Sequence, residues 1–239
     1  MSLEVSAIEG GSLVDRAVRR VRDHIRSHDL KVGDTLPSEG AFAEQLSVSR
    51  AVMREAFSTL AALHQIDVGN GRKARVAAID GSVLSTSLDH AVATSQVTVA
   101  EIWDVRRTLE LRTAELAAMQ RSDSDARAIL AHAEAMATAG DDLPMLIGHD
   151  IAFHQEIARA SGNALFHNII RSFEALMAVA VPTAWQTRAT EDQRQSVLDQ
   201  HRRLALTIAD RDPSAALDEM NKHFDTSISD LFVRFSQAS

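Results

Sequence analysis

Cysteine is absent from the 239-residue sequence, and this absence excludes two kinds of site. Without thiols the chain forms neither disulfides nor thiolate metal centres, so His, Asp or Glu side chains must hold any bound metal. Long apolar runs are also absent, because no stretch of about 18 apolar residues is available to span a bilayer. The first residues lack the basic segment and apolar run of a secretion signal, so we expect a cytoplasmic protein without membrane contact.

Positive charge is scarce, since the formal net charge is −8, but it is unevenly distributed. Residues 1–78 carry 11 Lys and Arg against 10 Asp and Glu, whereas residues 79–239 carry 14 against 23. An acidic surface repels phosphates, so any contact with nucleic acid is expected in the N-terminal third. The length suggests one large domain or two ordinary ones.

The N-terminal third predicts three helices followed by a β-hairpin. Residues 1–11 are polar and are predicted to be disordered. Ser38 and Ser49 are typical N-cap residues, and each is expected to begin a short helix. Asn70-Gly71 between two short alternating runs is a hairpin signal, which completes a winged helix-turn-helix over residues 12–77. The first helix is predicted from an apolar stripe with a spacing of four: Leu13, Ala17, Val21 and Ile25, widened by Val14 and Val18.

The remainder, residues 82–235, has a uniformly helical pattern and predicts an all-α antiparallel bundle of six or seven helices. Ser161-Gly162-Asn163 ends one helix and caps the next, and Asp212-Pro213 begins another. The fold is therefore expected to be mainly α. The predicted helices cover about 82–94, 99–120, 123–139, 143–161, 163–181, 190–210 and 213–235.

The third predicted helix presents a basic front and an apolar back. Arg50 and Arg54 are four residues apart and share one face, while Met53, Phe57 and Leu60 occupy another. In a helix-turn-helix the start of this helix reaches base edges, and arginine pairs bidentately with guanine. Two arginines on a helix are also typical of a merely solvated face. The predicted DNA contacts are Ser38, Ser49, Arg50, Arg54, Asn70, Gly71, Arg72 and Lys73.

These motifs resemble the GntR family of bacterial regulators. The resemblance covers about residues 12–77. It implies a transcription regulator, repressor or activator, that binds a palindromic operator as a homodimer. Gly40 departs from the pattern, because the family often has arginine there, and the departure alters the expected operator sequence. The resemblance is carried by Leu36-Pro37-Ser38-Glu39, Ala43, Leu46, Val48-Ser49-Arg50, Arg54-Glu55-Ala56 and the glycine-bearing wing.

Four metal-ligand residue types interrupt apolar stripes of the C-terminal helices. Asp150 and His154 are four apart on one predicted helix, and His201 and His223 lie on two others. Burying unpaired polar groups is costly, so we expect these four side chains to meet one another or a common ion. A metal site and a metal-free hydrogen-bonded network both satisfy the pattern, and His149 is a further candidate ligand. Other histidines are interpreted as ordinary core or surface residues: His24, His28, His64, His90, His132 and His167.

The C-terminal part resembles the FCD effector domain of the FadR subfamily over about residues 82–235. The resemblance implies that the Asp and three His hold zinc, nickel or manganese beside a small organic acid such as a sugar acid or dicarboxylate. Arg106 is a candidate for pairing with that acid, or alternatively for an intrahelical ion pair with Glu110. The resemblance is carried by Arg106, Glu110, Ala117-Ala118, Asp150-x-x-Phe153-His154, Ser161-Gly162-Asn163, His201 and His223.

Two other functions are considered. A metal-dependent hydrolase would use the same Asp and His side chains, because open metal positions also activate water. That interpretation lacks a general base with a distinctive spacing and leaves the winged helix unexplained. A structural helical adaptor explains neither cluster of residues. The sequence therefore predicts a ligand-responsive transcription regulator rather than an enzyme.

Overall fold

The computed structural model describes residues 11–69 and 71–235 and divides the chain into two compact units. The first unit comprises residues 1–83 and the second residues 84–239. Residues 1–10, predicted to be disordered, lie outside the described residues. Each unit has its own apolar core.

The first unit contains three helices and a two-stranded antiparallel sheet. In chain order these are α1 (Leu13–Ser27), α2 (Glu39–Leu46), α3 (Arg50–Ala62), β1 (Ile66–Asp67) and β2 (Arg75–Val76). The order agrees with the predicted winged helix-turn-helix.

Serine N-caps begin all three helices of this unit. Ser12 and Asp15 form a reciprocal capping box at α1. The Ser38 side chain accepts a hydrogen bond from the Ala41 amide, and Ser49 accepts one from the Val52 amide. Each bond satisfies a backbone N–H that the first helical turn leaves unpaired.

The core of this unit differs from the predicted stripe at one residue. Ala17, Val18 and Val21 are buried, but Leu13 is 53% exposed. Val14 packs against the core instead. Leu13 is the first residue of α1, so its side chain lies at the end of the packed face.

The predicted hairpin is present, and the Arg72 amide donates to the Gly69 carbonyl at 3.1 Å, which is the i to i+3 hydrogen bond of a tight turn at the predicted position. Ile66 pairs with Val76 and Asp67 with Arg75, so residues 68–74 connect the strands. Asn70 itself lies outside the described residues. The opposite edge of β2 pairs with residues 33–36, where the Leu36 amide donates to the Ala74 carbonyl at 2.8 Å. The sequence pattern did not indicate this third segment.

The described residues from 82 onward form eight helices. Their bounds are α4 (Ser82–Ala93), α5 (Val99–Gln120), α6 (Asp123–Thr138), α7 (Leu143–Ala160), α8 (Ala164–Ser172), α9 (Glu174–Thr187), α10 (Glu191–Ala209) and α11 (Pro213–Phe235).

Side-chain pairs show that neighbouring long helices are antiparallel. Arg159 on α7 donates to Asp125 near the start of α6 at 2.7 Å. Arg203 on α10 likewise contacts Glu219 near the start of α11 at 3.2 Å. The all-α antiparallel bundle predicted from the sequence is therefore observed, and α5, α7, α10 and α11 surround its polar centre.

One predicted helix is divided in the structure. The helix predicted over 163–181 is observed as α8 and α9, which bend by 58° at Phe173. The Ser172 hydroxyl donates to the Ile169 carbonyl, which competes with the regular helix pattern at the bend. Helix α9 then continues through Pro182 to Thr187, beyond the predicted end at residue 181. Among the described residues no single helix is long and apolar enough to cross a membrane, although the bent α8–α9 pair passes that test jointly.

Candidate functional site

Helix α3 presents the predicted basic surface. Arg50 and Arg54 are exposed, while Met53, Phe57 and Leu60 are almost fully buried against the first unit's core. The buried face fixes the rotation of α3, and the two guanidinium groups consequently point toward solvent on the other side. The N-terminus of α3 is also exposed, as phosphate binding to its free amides requires.

The capping serines retain a donor. Ser38 and Ser49 each accept a hydrogen bond from their own helix through Oγ, at 3.2 Å in both cases. A hydroxyl can accept and donate at the same time, so both O–H groups remain available to a phosphate oxygen.

The wing and the start of α2 share a cleft of about 430 Å³. Ser38, Gly71, Arg72 and Lys73 line it together with Gly40. A Cβ atom at Gly40 would lie 3.9 Å from the Arg50 guanidinium. The structure thus brings these predicted DNA-contact residues to one region, and the absence of a side chain at Gly40 leaves space beside Arg50.

The four predicted ligands converge inside the second unit. Helix α7 supplies Asp150 and His154, α10 supplies His201, and α11 supplies His223. One nitrogen from each histidine lies within 4.8 Å of the others, and all three rings are buried. The His201 Nε2 atom faces Asp150 Oδ1 at 3.2 Å.

The orientation of His201 tests whether a cation fits this cluster. Its Nδ1 lies 2.8 Å from the Val197 carbonyl, which can only accept, so Nδ1 carries the proton. In the neutral ring Nε2 therefore holds a lone pair, and it faces a carboxylate oxygen without hydrogen-bond alignment. Two electron-rich atoms in buried contact repel unless a proton or cation lies between them. His223 Nδ1 is likewise buried without a hydrogen-bond partner among the described residues.

Glu110 is an additional member of the cluster. Its Oε1 accepts from Arg106 Nε at 2.8 Å, and its Oε2 contacts His154 Nδ1. The alternative interpretation of Arg106, an intrahelical ion pair, is therefore present in the structure. The Arg106 guanidinium also lies 4.9 Å from the Trp103 ring and lines the same cavity as the histidines.

Burial and charge determine the ionisation of this centre. Burial alone would raise the pKa of Asp150, but the close approach of His201 and the positive charge that the neighbouring histidines carry when protonated lower it well below its usual value. Burial likewise opposes ionisation of Glu110, but Arg106 and His154 lower the pKa of that carboxyl. For His223, burial lowers the pKa far below its usual value, and His201 and His154 lower it further. Anionic carboxylates beside a neutral imidazole suit a cation.

The cavity beside the cluster is small and adjoins a larger cleft. The inner space of about 30 Å³ holds roughly one water molecule, and His154, His201 and Arg106 are among its lining residues. A cleft of about 370 Å³ lies between the end of α6, the start of α7, the end of α9 and the start of α10. The two spaces share four lining residues: Met136, Leu146, Trp185 and Leu198.

Three features of this unit were not indicated by the sequence. Helix periodicity placed Glu110 only as a partner of Arg106, and its contact with His154 depends on how α5 packs on α7. Trp185 and Arg188 line the inner cavity although the predicted helix ended at Val181. His149 contacts His132 on α6 rather than joining the central histidines.

Comparison with known families finds two matches along the chain. Residues 13–76 match the model described as bacterial regulatory proteins, gntR family. Residues 101–226 match the FCD domain model. The two matched segments correspond to the winged helix-turn-helix and to most of the helical bundle.

Several characterised proteins are similar over most of this chain. The Glc operon transcriptional activator of Escherichia coli K12 is 32% identical, covering 82% of this chain and 80% of its own. The HTH-type transcriptional regulator LutR of Bacillus subtilis is 28% identical, covering 87% and 95%. The HTH-type transcriptional repressor NanR of Salmonella newport is 25% identical, covering 84% and 78%. A solved structure titled Streptococcus agalactiae GntR has the same fold, with a TM-score of 0.66, 23% identity and coverage of 89% and 97%.

Proposed function

Because this chain belongs to the GntR family of bacterial regulatory proteins and is a transcription regulator with an FCD domain, we propose that it is a ligand-responsive, operator-binding homodimer of the cytoplasm. Its effector is a small organic acid bound near a divalent metal ion in the C-terminal bundle. The metal-dependent hydrolase is set aside, because both matched families are regulators and a hydrolase leaves the first unit without a role.

Operator recognition is assigned to α3 and the wing. Arg50 and Arg54 supply two exposed guanidinium groups on one face of α3, which suits pairing with guanine in the major groove. Arg72 and Lys73 supply charge for the DNA backbone or minor groove, and Ser38 and Ser49 supply hydroxyl donors. Gly71 lies in the same wing. Asn70 is proposed as a DNA contact from the sequence alone.

Homodimerisation follows from the amount of sequence that one helix can read. A single short recognition helix contacts too few base pairs to find one site in a genome. Two copies related by a two-fold axis double the readout and require a palindromic operator.

The metal proposal rests on the buried contact between His201 Nε2 and Asp150 Oδ1. With His201 Nδ1 committed to the Val197 carbonyl, a cation between Nε2 and the carboxylate removes the repulsion between them. Asp150, His154, His201 and His223 would hold zinc, nickel or manganese, since imidazole and carboxylate ligands suit these ions. When bound, the ion supplies positive charge and open coordination positions for a carboxylate oxygen.

The size of the two cavities constrains how an acid binds. The inner space accommodates about one water molecule, so only a carboxylate group of the effector fits beside the histidines. The rest of a sugar acid or dicarboxylate would extend past Trp185 into the outer cleft. Arg106 is neutralised by Glu110 within the bundle, so we assign it an orienting role at the cavity wall.

Regulation is proposed to be a population shift. An effector that binds one arrangement of the dimer better than another changes the separation of the two recognition helices. The named relatives include one activator and one repressor, so both signs of response occur among similar proteins.

Operator binding in the presence of candidate acids tests the proposal. Fluorescence anisotropy would use labelled DNA from beside the protein's own gene, with zinc and a panel of sugar acids and dicarboxylates. We expect specific binding that at least one acid shifts, and His201→Ala should abolish the shift while retaining DNA affinity. Equal affinity for unrelated DNA would reject operator recognition, and a full acid response in His201→Ala would reject the metal-linked effector site.

A further inference from the structure

A second pair of histidines connects α6 and α7, apart from the central cluster. The Nδ1 atom of His132 lies 3.0 Å from the Nδ1 atom of His149, and the ring centroids are 5.2 Å apart. Both side chains are half-buried, so their rings remain accessible from solvent. The two helices are antiparallel, and the pair bridges them at one level.

The separation of the two nitrogens is compatible with one bound ion. Metal–imidazole bonds are about 2.0–2.1 Å long, so two nitrogens bound at right angles to one ion lie about 3.0 Å apart. A tetrahedral arrangement separates them by about 3.3–3.4 Å with the same bond lengths. The 3.0 Å distance between His132 and His149 is that of a hydrogen bond between the two rings, and a small rotation of the side chains gives either metal geometry. Imidazole ligands suit nickel and copper, which bind nitrogen sites more tightly than the earlier first-row divalent metals.

The surroundings of the pair favour a cation over a proton. Burial lowers the pKa of His132, and the neighbouring His149 lowers it further, which favours the neutral ring that metal binding requires. Glu156, two helical turns further along α7, opposes this shift through its negative charge and pairs with Arg159. Ionisable side chains on α6 and α7 next to this region also include Asp125 and Arg159, which pair with each other.

We propose that His132 and His149 form a second metal site, which binds one divalent ion of the nickel–copper class and completes its coordination with water. The bound ion would cross-link α6 and α7 at the surface of the effector domain. It uses none of Asp150, His154, His201 or His223, so the proposal does not depend on the central metal site.

Nickel titration of the full-length protein tests the second site. Metal would be removed with a chelator, the chelator dialysed away, and Ni²⁺ added in competition with a chromophoric indicator. We expect two binding events per chain. His132→Gln and His149→Gln should each weaken the second event by at least about tenfold, because even loss of an outer-shell partner costs 10–100-fold. His201→Ala should weaken the first event and leave the second.

A matched control and a spectroscopic readout separate coordination from folding. His167→Gln removes a half-buried histidine from α8 and should leave both events unchanged. Electron paramagnetic resonance of Cu²⁺ bound to the variant His154→Gln/His201→Ala/His223→Gln, which lacks every central imidazole, should show two coupled imidazole nitrogens, and one after His149→Gln is added. Glutamine retains the size and polarity of the site, and a metal-free melting temperature close to wild type would establish that the variants fold.

Three results would overturn this inference. The first is a single Ni²⁺ per wild-type chain that His201→Ala abolishes. The second is unchanged nickel binding in both His132→Gln and His149→Gln. The third is a copper spectrum that His149→Gln does not alter. The first of them leaves the central site intact. Conversely, if variants of the central ligands lose only the stronger nickel-binding event, the weaker event supports the His132–His149 site.

Discussion

Arg50 is the residue on which operator specificity should depend most. It is exposed at the first turn of α3, while the opposite face of that helix is fixed by buried Met53 and Phe57. Arg50→Ala is expected to weaken operator binding by about 1–3 kcal/mol, the usual contribution of a good bidentate base contact. Arg26→Ala, which removes an exposed arginine from α1, should leave affinity nearly unchanged. Equal losses in the two variants, measured by anisotropy, would show a general charge effect instead.

Glu110 is predicted to be the most sensitive residue of the bundle core. It is completely buried between Arg106 and His154. Glu110→Ala leaves the Arg106 charge without its carboxylate, and breaking such a buried pair costs about 3–5 kcal/mol. Urea unfolding of the metal-free protein should show this loss. The double variant Arg106→Met/Glu110→Leu should recover most of it, and a double variant as unstable as the single one would contradict the ion-pair explanation.

At the residue scale, helix periodicity was sufficient to predict that four side chains lie together: Asp150, His154, His201 and His223. Each lies in the apolar stripe of its helix. In a bundle that stripe faces the core, regardless of which other helix packs against it. Contacts between helices are less predictable, because they depend on axial register. The pairing of His132 with His149 requires that α6 and α7 align within one turn, and no spacing along the sequence specifies that alignment.

At the element scale, helix α9 contributes one residue to both the inner cavity and the outer cleft. Trp185 on its last turns lines both spaces, and so do Leu146 and Leu198. Trp185→Ala is expected to open the passage and accelerate removal of the central metal by an external chelator several-fold. Val179→Ala, on the exposed side of the same helix, should leave the removal rate at the wild-type value. An unchanged rate in Trp185→Ala would place the access route elsewhere.

Element boundaries show where sequence patterns stop being informative. The serine caps of α2 and α3 were predictable, because capping is a local interaction between a side chain and its own first turn. The pairing of residues 33–36 with β2 was not predicted, because it joins segments that are distant along the chain. Likewise, α9 continues through Pro182, although a rule based on local sequence would end the helix there.

At the scale of the whole molecule, the chain has two separate apolar cores, and we expect metal removal to affect the stability of only one of them. The first unit contains the proposed DNA-contact residues, and the second contains the proposed metal ligands. Light scattering at micromolar concentration is expected to report a homodimer, since operator reading requires two copies of α3. A monomer both with and without DNA would contradict the proposed palindromic operator.

Metal removal should distinguish the two units. An ion bound by Asp150, His154, His201 and His223 joins α7, α10 and α11, and it stabilises the folded second unit by mass action because the unfolded chain has no assembled site. Chelation should therefore lower the melting temperature of the bundle and leave that of the winged helix-turn-helix unchanged, with hydrogen exchange of each unit followed separately by mass spectrometry. His201→Ala should reproduce the effect of the chelator, and a chelator should then have little further effect on the central helices. If chelation instead increased exchange equally in α1 and α10, the ion would be stabilising the whole chain, and the central histidines would have to be reinterpreted as a metal-free hydrogen-bonded network.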